Sequence, residues 1–308
     1  MERETDFIII GAGAAGLAAA VYAGRADLST LVLCEGGVSG GQALNILSLE
    51  NYPGLFPAPG GAALAEAMEH QARAAGAAFE SARVLEVRKE GDRFTVVSDR
   101  GTCSAGAVLL ATGGEPRKLG VPGEETFAGR GVSYCAVCDG PFFRGKPVAV
   151  VGGGNSACDE SLYLAALASQ VTLIHRRDQF RADPAVVSRV RAHPNITIKY
   201  NRVVKEIRGD KKVSSLILGD TLSGAEETLA AEGVFIFAGF VPRSSLAPGV
   251  KTDGEGYVLT GDGMETSVPG LFCAGDVRAK PLRQIITAAS DGAIAAVSAG
   301  KYLRGRKA

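Results

Sequence analysis

Cys135-Ala136-Val137-Cys138-Asp139 places two thiols one helical turn apart, with a carboxylate beside the second. Sulfurs at that spacing can close as a disulfide and reopen, and a mixed disulfide formed at one is resolved by the other before it can diffuse away. Asp139 can give a proton to a leaving thiol or take one from it. The same spacing is half of a structural zinc site, which needs a second Cys pair or a closely spaced His pair. Cys34, Cys103, Cys158 and Cys273 are scattered, and the histidines are His70, His175 and His193, so the zinc ligand set is missing and thiol–disulfide exchange is expected. The scattered cysteines read as small buried core residues, and His70 and His193 as surface or packing residues.

Two glycine-rich turns supply the second kind of chemistry. Phe7-Ile8-Ile9-Ile10 reads as a buried strand, Gly11-Ala12-Gly13-Ala14-Ala15-Gly16 as a turn, and the Ala-rich stretch to about Arg25 as a helix. Gly11 allows the tight turn, Gly13 lets a pyrophosphate approach the backbone, and Gly16 lets the helix pack closely with its N-terminal N–H groups toward the phosphates. The next strand, Leu31-Val32-Leu33, ends at Glu35, where a carboxylate can accept hydrogen bonds from a ribose. The pattern recurs as a strand over 147–151, the turn Gly152-Gly153-Gly154-Asn155-Ser156-Ala157 and a helix over 158–168. The strand after it, 171–174, ends in His175-Arg176-Arg177, with Arg181 beyond. Guanidinium groups pair bidentately with phosphate, so this second site is expected to prefer a 2′-phosphorylated nucleotide, NADPH over NADH. An acidic strand end at the first site favours FAD, since a flavin can take a hydride from NADPH and pass two electrons to a disulfide.

The elements that must hold these turns fit a globular α/β chain. With 308 residues there is room for two domains, each with its own core, and 41 glycines, roughly twice the average usage, point to tight turns. Lys plus Arg and Asp plus Glu both total 33, with no long single-sign run, so nucleic acid is not an expected partner. The uncharged stretch 7–24 is interrupted by Gly11, Gly13 and Gly16 and follows the acidic Met1-Glu2-Arg3-Glu4-Thr5-Asp6, so neither a membrane span nor a signal peptide is expected. A cytoplasmic location follows, where a Cys-x-x-Cys is catalytic rather than a structural staple.

Taken together these residues resemble the low-molecular-weight thioredoxin reductases along nearly the whole chain. The resemblance is carried by Gly40-Gly41-Gln42, Glu50-Asn51-Tyr52-Pro53-Gly54, Ala111-Thr112-Gly113, Gly129-Arg130-Gly131-Val132-Ser133, Cys135 to Gly140, His175-Arg176-Arg177 and Arg283-Gln284, all in family order. It implies an α/β fold of two Rossmann-like dinucleotide-binding domains of the three-layer ββα type. The NADPH domain, 118–244, would be inserted into an FAD domain formed by 1–117 and 245–308. The turn-rich stretches 116–123 and 241–245 read as the two crossovers, a pair that can act as a hinge. Besides Gly11, Gly13, Ala14, Ala15, Gly16 and Glu35, the flavin site implied by resemblance takes Gly41, Gln42, Asn51, Ala111, Thr112 and Gly113. Leu271-Phe272-Cys273-Ala274-Gly275-Asp276 adds Gly275 and Asp276, the latter toward the ribityl chain. Arg283, Gln284 and Ile285, at the start of a C-terminal helix over about 282–303, fall near the flavin ring. Gly152, Gly154, Asn155, Ser156, His175, Arg176, Arg177 and Arg181 form the NADPH site.

By the same resemblance Cys138 exchanges electrons with the flavin, Cys135 attacks the substrate disulfide and Asp139 is the acid–base group; the chemistry itself permits the reverse order of the thiols. Phe142, Phe143 and Arg130 look like a docking surface for thioredoxin or a thioredoxin-like protein, although Pro141 stands where the family commonly has an aromatic residue. A homodimer is implied. Three other readings remain: a flavin-dependent dithiol oxidase, a ferredoxin-linked thioredoxin reductase relative, and a redox sensor using the dithiol as a switch. The arginine cluster argues against the first two, which would not need an NADPH site.

Overall fold

A computed structural model describes residues 3–46, 49–246 and 249–306. The chain divides into two compact units, residues 1–115 with 241–308, and residues 116–240. The crossings therefore lie at 115/116 and 240/241, a little ahead of the expected 117/118 and 244/245. Two short strands occupy them and pair with each other as a ribbon, so the chain leaves each unit before its turn-rich segment begins.

The first unit opens with β1 (Arg3–Ile10), α1 (Ala14–Arg25), β2 (Thr30–Cys34), α2 (Gly61–Ala74) and β3 (Ala78–Ser81), followed by the meander β4 (Val84–Glu90), β5 (Arg93–Ser98) and β6 (Gly101–Leu110). The crossing strands are β7 (Gly114–Pro116) and, on the return, β16 (Phe240–Pro242); β17 (Leu271–Cys273) and α6 (Ile285–Gly305) then complete the unit. β1 lies between β2 and β6, parallel to both. Along β6, residues 101–105 pair antiparallel with β5, whereas 108–110 pair parallel with β17. One strand thus belongs to two layers, and the meander forms a second layer beside the parallel sheet. Phe7 and Ile9 face a core shared with α1 and α6, whereas Ile8 and Ile10 face one shared with the meander. Burial on both faces explains why this strand is an unbroken apolar run rather than an alternating one. A methyl group on Gly292 of α6 would overlap the Ala15 carbonyl, so α1 and α6 meet backbone to backbone, and Ala and Gly dominate their contact. Gln284 and Thr287 form a reciprocal capping box, which starts α6 at Ile285 rather than near 282.

The second unit repeats the plan. It runs β8 (Val132–Ser133), α3 (Ala136–Asp139), β9 (Pro147–Gly152), α4 (Asn155–Ala165), β10 (Gln170–Ile174), α5 (Pro184–Ala192) and β11 (Ile196–Lys199). The meander β12 (Arg202–Gly209), β13 (Val213–Asp220) and β14 (Glu226–Ala230) follows, then β15 (Gly233–Phe237). The parallel sheet has the order β11-β10-β9-β15-β8. Val148 and Val150 face α4, while Ala149 and Val151 face the meander. α4 begins three residues earlier than the expected 158 because Gly154 is itself the extended N-cap, so the glycine turn runs directly into the helix. Among the described residues no helix is long and apolar enough to cross a membrane.

Within α4, burial followed by the neighbouring Asp159 charge pushes the Glu160 carboxyl up to about 7. The folded state therefore holds this proton more tightly than the unfolded chain, and stability falls as pH rises from the ordinary carboxylate range through 7. Glu160→Gln should accordingly leave the urea midpoint almost unchanged at pH 4, where both forms are neutral, and raise stability by on the order of 2 kcal/mol at pH 8. Equal effects at both pH values would refute the assignment.

Candidate functional site

The first glycine turn sits at the C-terminal edge of β1 and β6, where ligands of open parallel sheets bind. Gly11 has φ +105°, and a methyl there would overlap the Ala111 carbonyl oxygen; one on Gly16 would overlap the carbonyl of Gly11. Gly13 differs, because a methyl there meets nothing within 4 Å. The three glycines thus have separate jobs: two permit backbone contact and one leaves room. Gly40 donates to the Ala12 carbonyl at 2.7 Å, bringing Gly41 alongside Gly13. Ala15 packs on Gly275, while Ala14 and Ile285 line one apolar crevice with Gly40 and Met68. Thr112 Oγ1 donates to the Arg243 carbonyl and the Arg243 N–H donates to Gly113, tying the end of β6 to the returning chain.

Glu35 lies beyond β2 and lines a cavity of about 340 Å³ with Ser81, Ala82, Arg83 and Asp99, large enough for part of a nucleotide. The Arg243 guanidinium stands 3.4 Å from its carboxylate. At the other end of the edge, Asp276 is half-buried, and its Oδ1, itself buried, has no hydrogen-bond partner among the described residues. Burial raises its pKa, opposed by Lys280 and Arg283. A buried acceptor without a donor fits a ligand hydroxyl. Asp291 on α6 accepts from the Gly275 N–H at 3.1 Å, Arg278 at 3.0 Å and Lys280 at 2.6 Å, which holds the Asp276 turn in place. Arg283 lies over the Tyr257 ring, and Asn51 donates to Gln284 at 3.0 Å. Gln42 reaches instead to the Gly114 carbonyl.

In the second unit Gly154 is open and a methyl on Gly152 would crowd Phe237, repeating Gly13 and Gly11. Gly153 lies against the His175 ring so closely that no side chain fits. His175 is buried; burial first, opposed by its contact with the Gln179 carbonyl and aided by Arg181, Arg177 and Arg176, lowers its pKa. It therefore supports the turn as a neutral ring, a refinement of its expected place among the phosphate-binding cations. Arg176, Arg177 and Arg181 are exposed and, among the described residues, form no ion pair. The Arg181 N–H donates to the Gly153 carbonyl at 2.8 Å, and Asn155 exchanges two hydrogen bonds with Asp183. These contacts fold the arginine loop back onto the turn, beside the exposed Ser156.

Cys135 and Cys138 form a disulfide with 5.4 Å between their Cα atoms. Cys135 caps α3, its Sγ accepting the Cys138 N–H at 3.1 Å, an arrangement that favours negative charge on that sulfur. Cys138 is the more exposed residue. Ser133 donates to Asp139 Oδ2 at 2.6 Å. The neighbouring phenylalanines separate: Phe142 is 72% exposed, whereas Phe143 packs edge-on against Phe235. Arg130 is exposed and donates to the Thr126 carbonyl.

Cys103, Cys158 and Cys273 are buried as expected, and burial raises the Cys273 thiol and pushes Cys158 up to about 11. Cys34 departs from the expectation: it is half-exposed, with Sγ 3.2 Å from the Val38 carbonyl. Sequence reasoning gave no role to Ser133, Arg243 or Asp291, nor to Glu124. That carboxylate is 1% exposed and accepts the Leu119 and Gly120 N–H groups and the Tyr134 hydroxyl. The available signal was a polar residue at the end of the apolar strand Val132-Ser133. For the first turn, Gly16→Ala should unfold the protein or cost more than roughly 2 kcal/mol. Gly13→Ala should keep the wild-type thermal midpoint of the ligand-free protein while weakening dinucleotide binding at least roughly tenfold. Calorimetry and cofactor titration check both, and equal destabilisation by the two would contradict the division of roles.

Residues 5–292 match the family described as pyridine nucleotide-disulphide oxidoreductase. The chain is 52% identical over 303 residues to a thioredoxin reductase of Treponema pallidum (strain Nichols), covering 98% of each chain. It is 46% identical over 304 residues to that of Bacillus subtilis (strain 168), covering 98% of this chain and 96% of the other. Among solved structures, thioredoxin reductase of Lactococcus lactis superposes with a TM-score of 0.95 at 39% identity, covering 98% of this chain and 99% of that one. Two dinucleotide turns and a redox disulfide thus lie in a chain that matches at full length, and it belongs to the pyridine nucleotide-disulphide oxidoreductase family.

Proposed function

We propose that this protein is an NADPH-dependent thioredoxin-disulfide reductase, passing two electrons through FAD and the Cys135–Cys138 disulfide to a thioredoxin-like protein. The observation that carries the reading is the disulfide itself, set in the same unit as a glycine turn flanked by the exposed Arg176, Arg177 and Arg181. When bound, FAD supplies two-electron transfer between a nicotinamide and a disulfide. The turn Gly11, Gly13 and Gly16 would seat its pyrophosphate, Glu35 its ribose, and Asp276 Oδ1 a ribityl hydroxyl. Ala14, Ala15, Gly41, Gln42, Asn51, Ala111, Thr112, Gly113, Gly275, Arg283, Gln284 and Ile285 would surround it. Gly152, Gly154, Asn155 and Ser156 would receive the NADPH pyrophosphate, with Arg176, Arg177 and Arg181 on the 2′-phosphate. Once the disulfide opens, Cys135 attacks the partner, favoured by the Cys138 N–H aimed at its sulfur; Cys138 resolves the mixed disulfide; Asp139 handles the proton. Phe142 and Arg130 offer the exposed anchors for docking. An oxidase or ferredoxin-linked enzyme would have no use for the arginine loop.

A cytoplasmic setting suits a chain whose four other cysteines form no disulfide. We also propose a homodimer. On α6 the exposed Ile286, Ile294 and Val297 fall within one stripe of the helix surface, an apolar strip suited to a twofold contact.

With NADPH as donor the protein should reduce a thioredoxin-like disulfide at least roughly tenfold faster than with NADH; a preference for NADH would overturn the role of the arginines. Cys138→Ser should retain NADPH-driven flavin bleaching, lose turnover and accumulate a mixed disulfide through Cys135; unimpaired turnover would reject the relay. In sedimentation velocity the wild type should run as a dimer, and Ile294→Asp with Val297→Asp as a monomer. A wild-type monomer would remove the dimer.

A further inference from the structure

We propose that Ser133 is a positioning residue of the dithiol chemistry: its hydroxyl fixes Asp139 through Oδ2 and leaves Oδ1 to give and take the proton. Ser133 is 4% exposed, the last residue of β8, and pairs with Phe235 across a sheet whose other residues there are apolar. A buried hydroxyl at such a place requires partners. It finds them all in the redox motif. Oγ lies 2.6 Å from Asp139 Oδ2, 3.2 Å from the Cys135 carbonyl and 3.1 Å from the Cys135 amide nitrogen. A hydroxyl has one proton to donate, and Asp139 Oδ2 is the nearer acceptor, so Asp139 receives it while Oγ accepts the Cys135 N–H. The Asp139 N–H in turn donates to the Cys135 carbonyl at 3.1 Å. Ser133, Cys135 and Asp139 are thereby closed into one ring of hydrogen bonds, and the carboxylate cannot rotate without breaking its bond to Ser133.

A dithiol opens the disulfide in two exchanges. A reductant thiolate attacks one sulfur and forms a mixed disulfide, and the other sulfur leaves with the electron pair and takes a proton. The second reductant thiolate then closes on the first, expelling the remaining cysteine sulfur. Two electrons pass to the Cys pair, two protons follow, and the reductant ends as a disulfide. Asp139 Oδ1 supplies the proton to a leaving sulfur and is recharged from solvent, and Ser133 keeps that oxygen in its place. The inference rests on the acid–base role proposed for Asp139, not on the identity of the cofactors or of the partner protein.

The test follows reduction of the disulfide in the holoprotein by dithiothreitol, with iodoacetamide quenching and mass spectrometry of the peptide holding Cys135 and Cys138. Ser133→Ala should slow opening by roughly tenfold, and Ser133→Thr, which keeps the hydroxyl, should recover it to within about twofold. In an Asp139→Asn background, Ser133→Ala should add less than about twofold, because the serine acts through the carboxylate. Wild-type rates in Ser133→Ala, the same loss with and without the Asp139 carboxylate, or a threonine variant as slow as alanine would each overturn the proposal. An Asp139→Asn protein that opens at the wild-type rate would instead remove the acid–base role on which it rests.

Discussion

The carbonyl of Gly11 lies against the Cα of Gly16 with no space for a methyl group between them, and much of the first unit is organised around that contact. It seats the first turn of α1 on the end of β1 and directs the helix N-terminus along the edge where β1, β6 and β17 end. Ala111 approaches from one side and Gly275 from the other, each too close for a larger residue at its neighbour. Backbone contact of this kind tolerates no relaxation by side-chain rotation, so the turn has one conformation. That rigidity places open space at Gly13 and an unpartnered carboxylate oxygen at Asp276 on the same edge.

The second unit reaches the same geometry with a looser version of the contact. Ala157 stands where the first unit has Gly16, and the added methyl is fully buried. Support comes instead from the far side of the turn, where the His175 ring fills the space against Gly153. A neutral buried ring is suited to this, since a charged one would need a counterion within an apolar layer. The disulfide is attached to this unit through β8, so the redox motif inherits the position of a sheet strand.

Local patterns carried the parts of this fold that depend on near neighbours. The run Phe7 to Ile10 and the glycines after it announce strand, turn and helix, because burial on both faces and turn chemistry leave their mark within a dozen residues. Periodicity alone cannot say where a glycine turn passes into helix, and the extended Gly154 sets the start of α4 at Asn155. Contacts between distant segments left no such trace. Asn51 meets Gln284 across 233 residues and Glu35 meets Arg243 across 208, and neither pairing follows from residue type. Phe142 and Phe143 are identical in kind and adjacent, yet a single 3-10 turn sends one to solvent and the other into the core. The redox motif was legible as thiols and an acid; the serine that holds the acid was visible only as one polar residue at a strand end.

The division of labour around Gly153 has an evolutionary consequence. The imidazole that shapes the second turn is buried, whereas the three guanidinium groups that would read a 2′-phosphate are exposed and, among the described residues, form no ion pair. On the proposed function, coenzyme preference and structural integrity would therefore be written in separate residues. A lineage could drift from one nicotinamide coenzyme to the other by surface substitutions alone, each nearly neutral for folding, while the scaffold beneath stayed under constant selection.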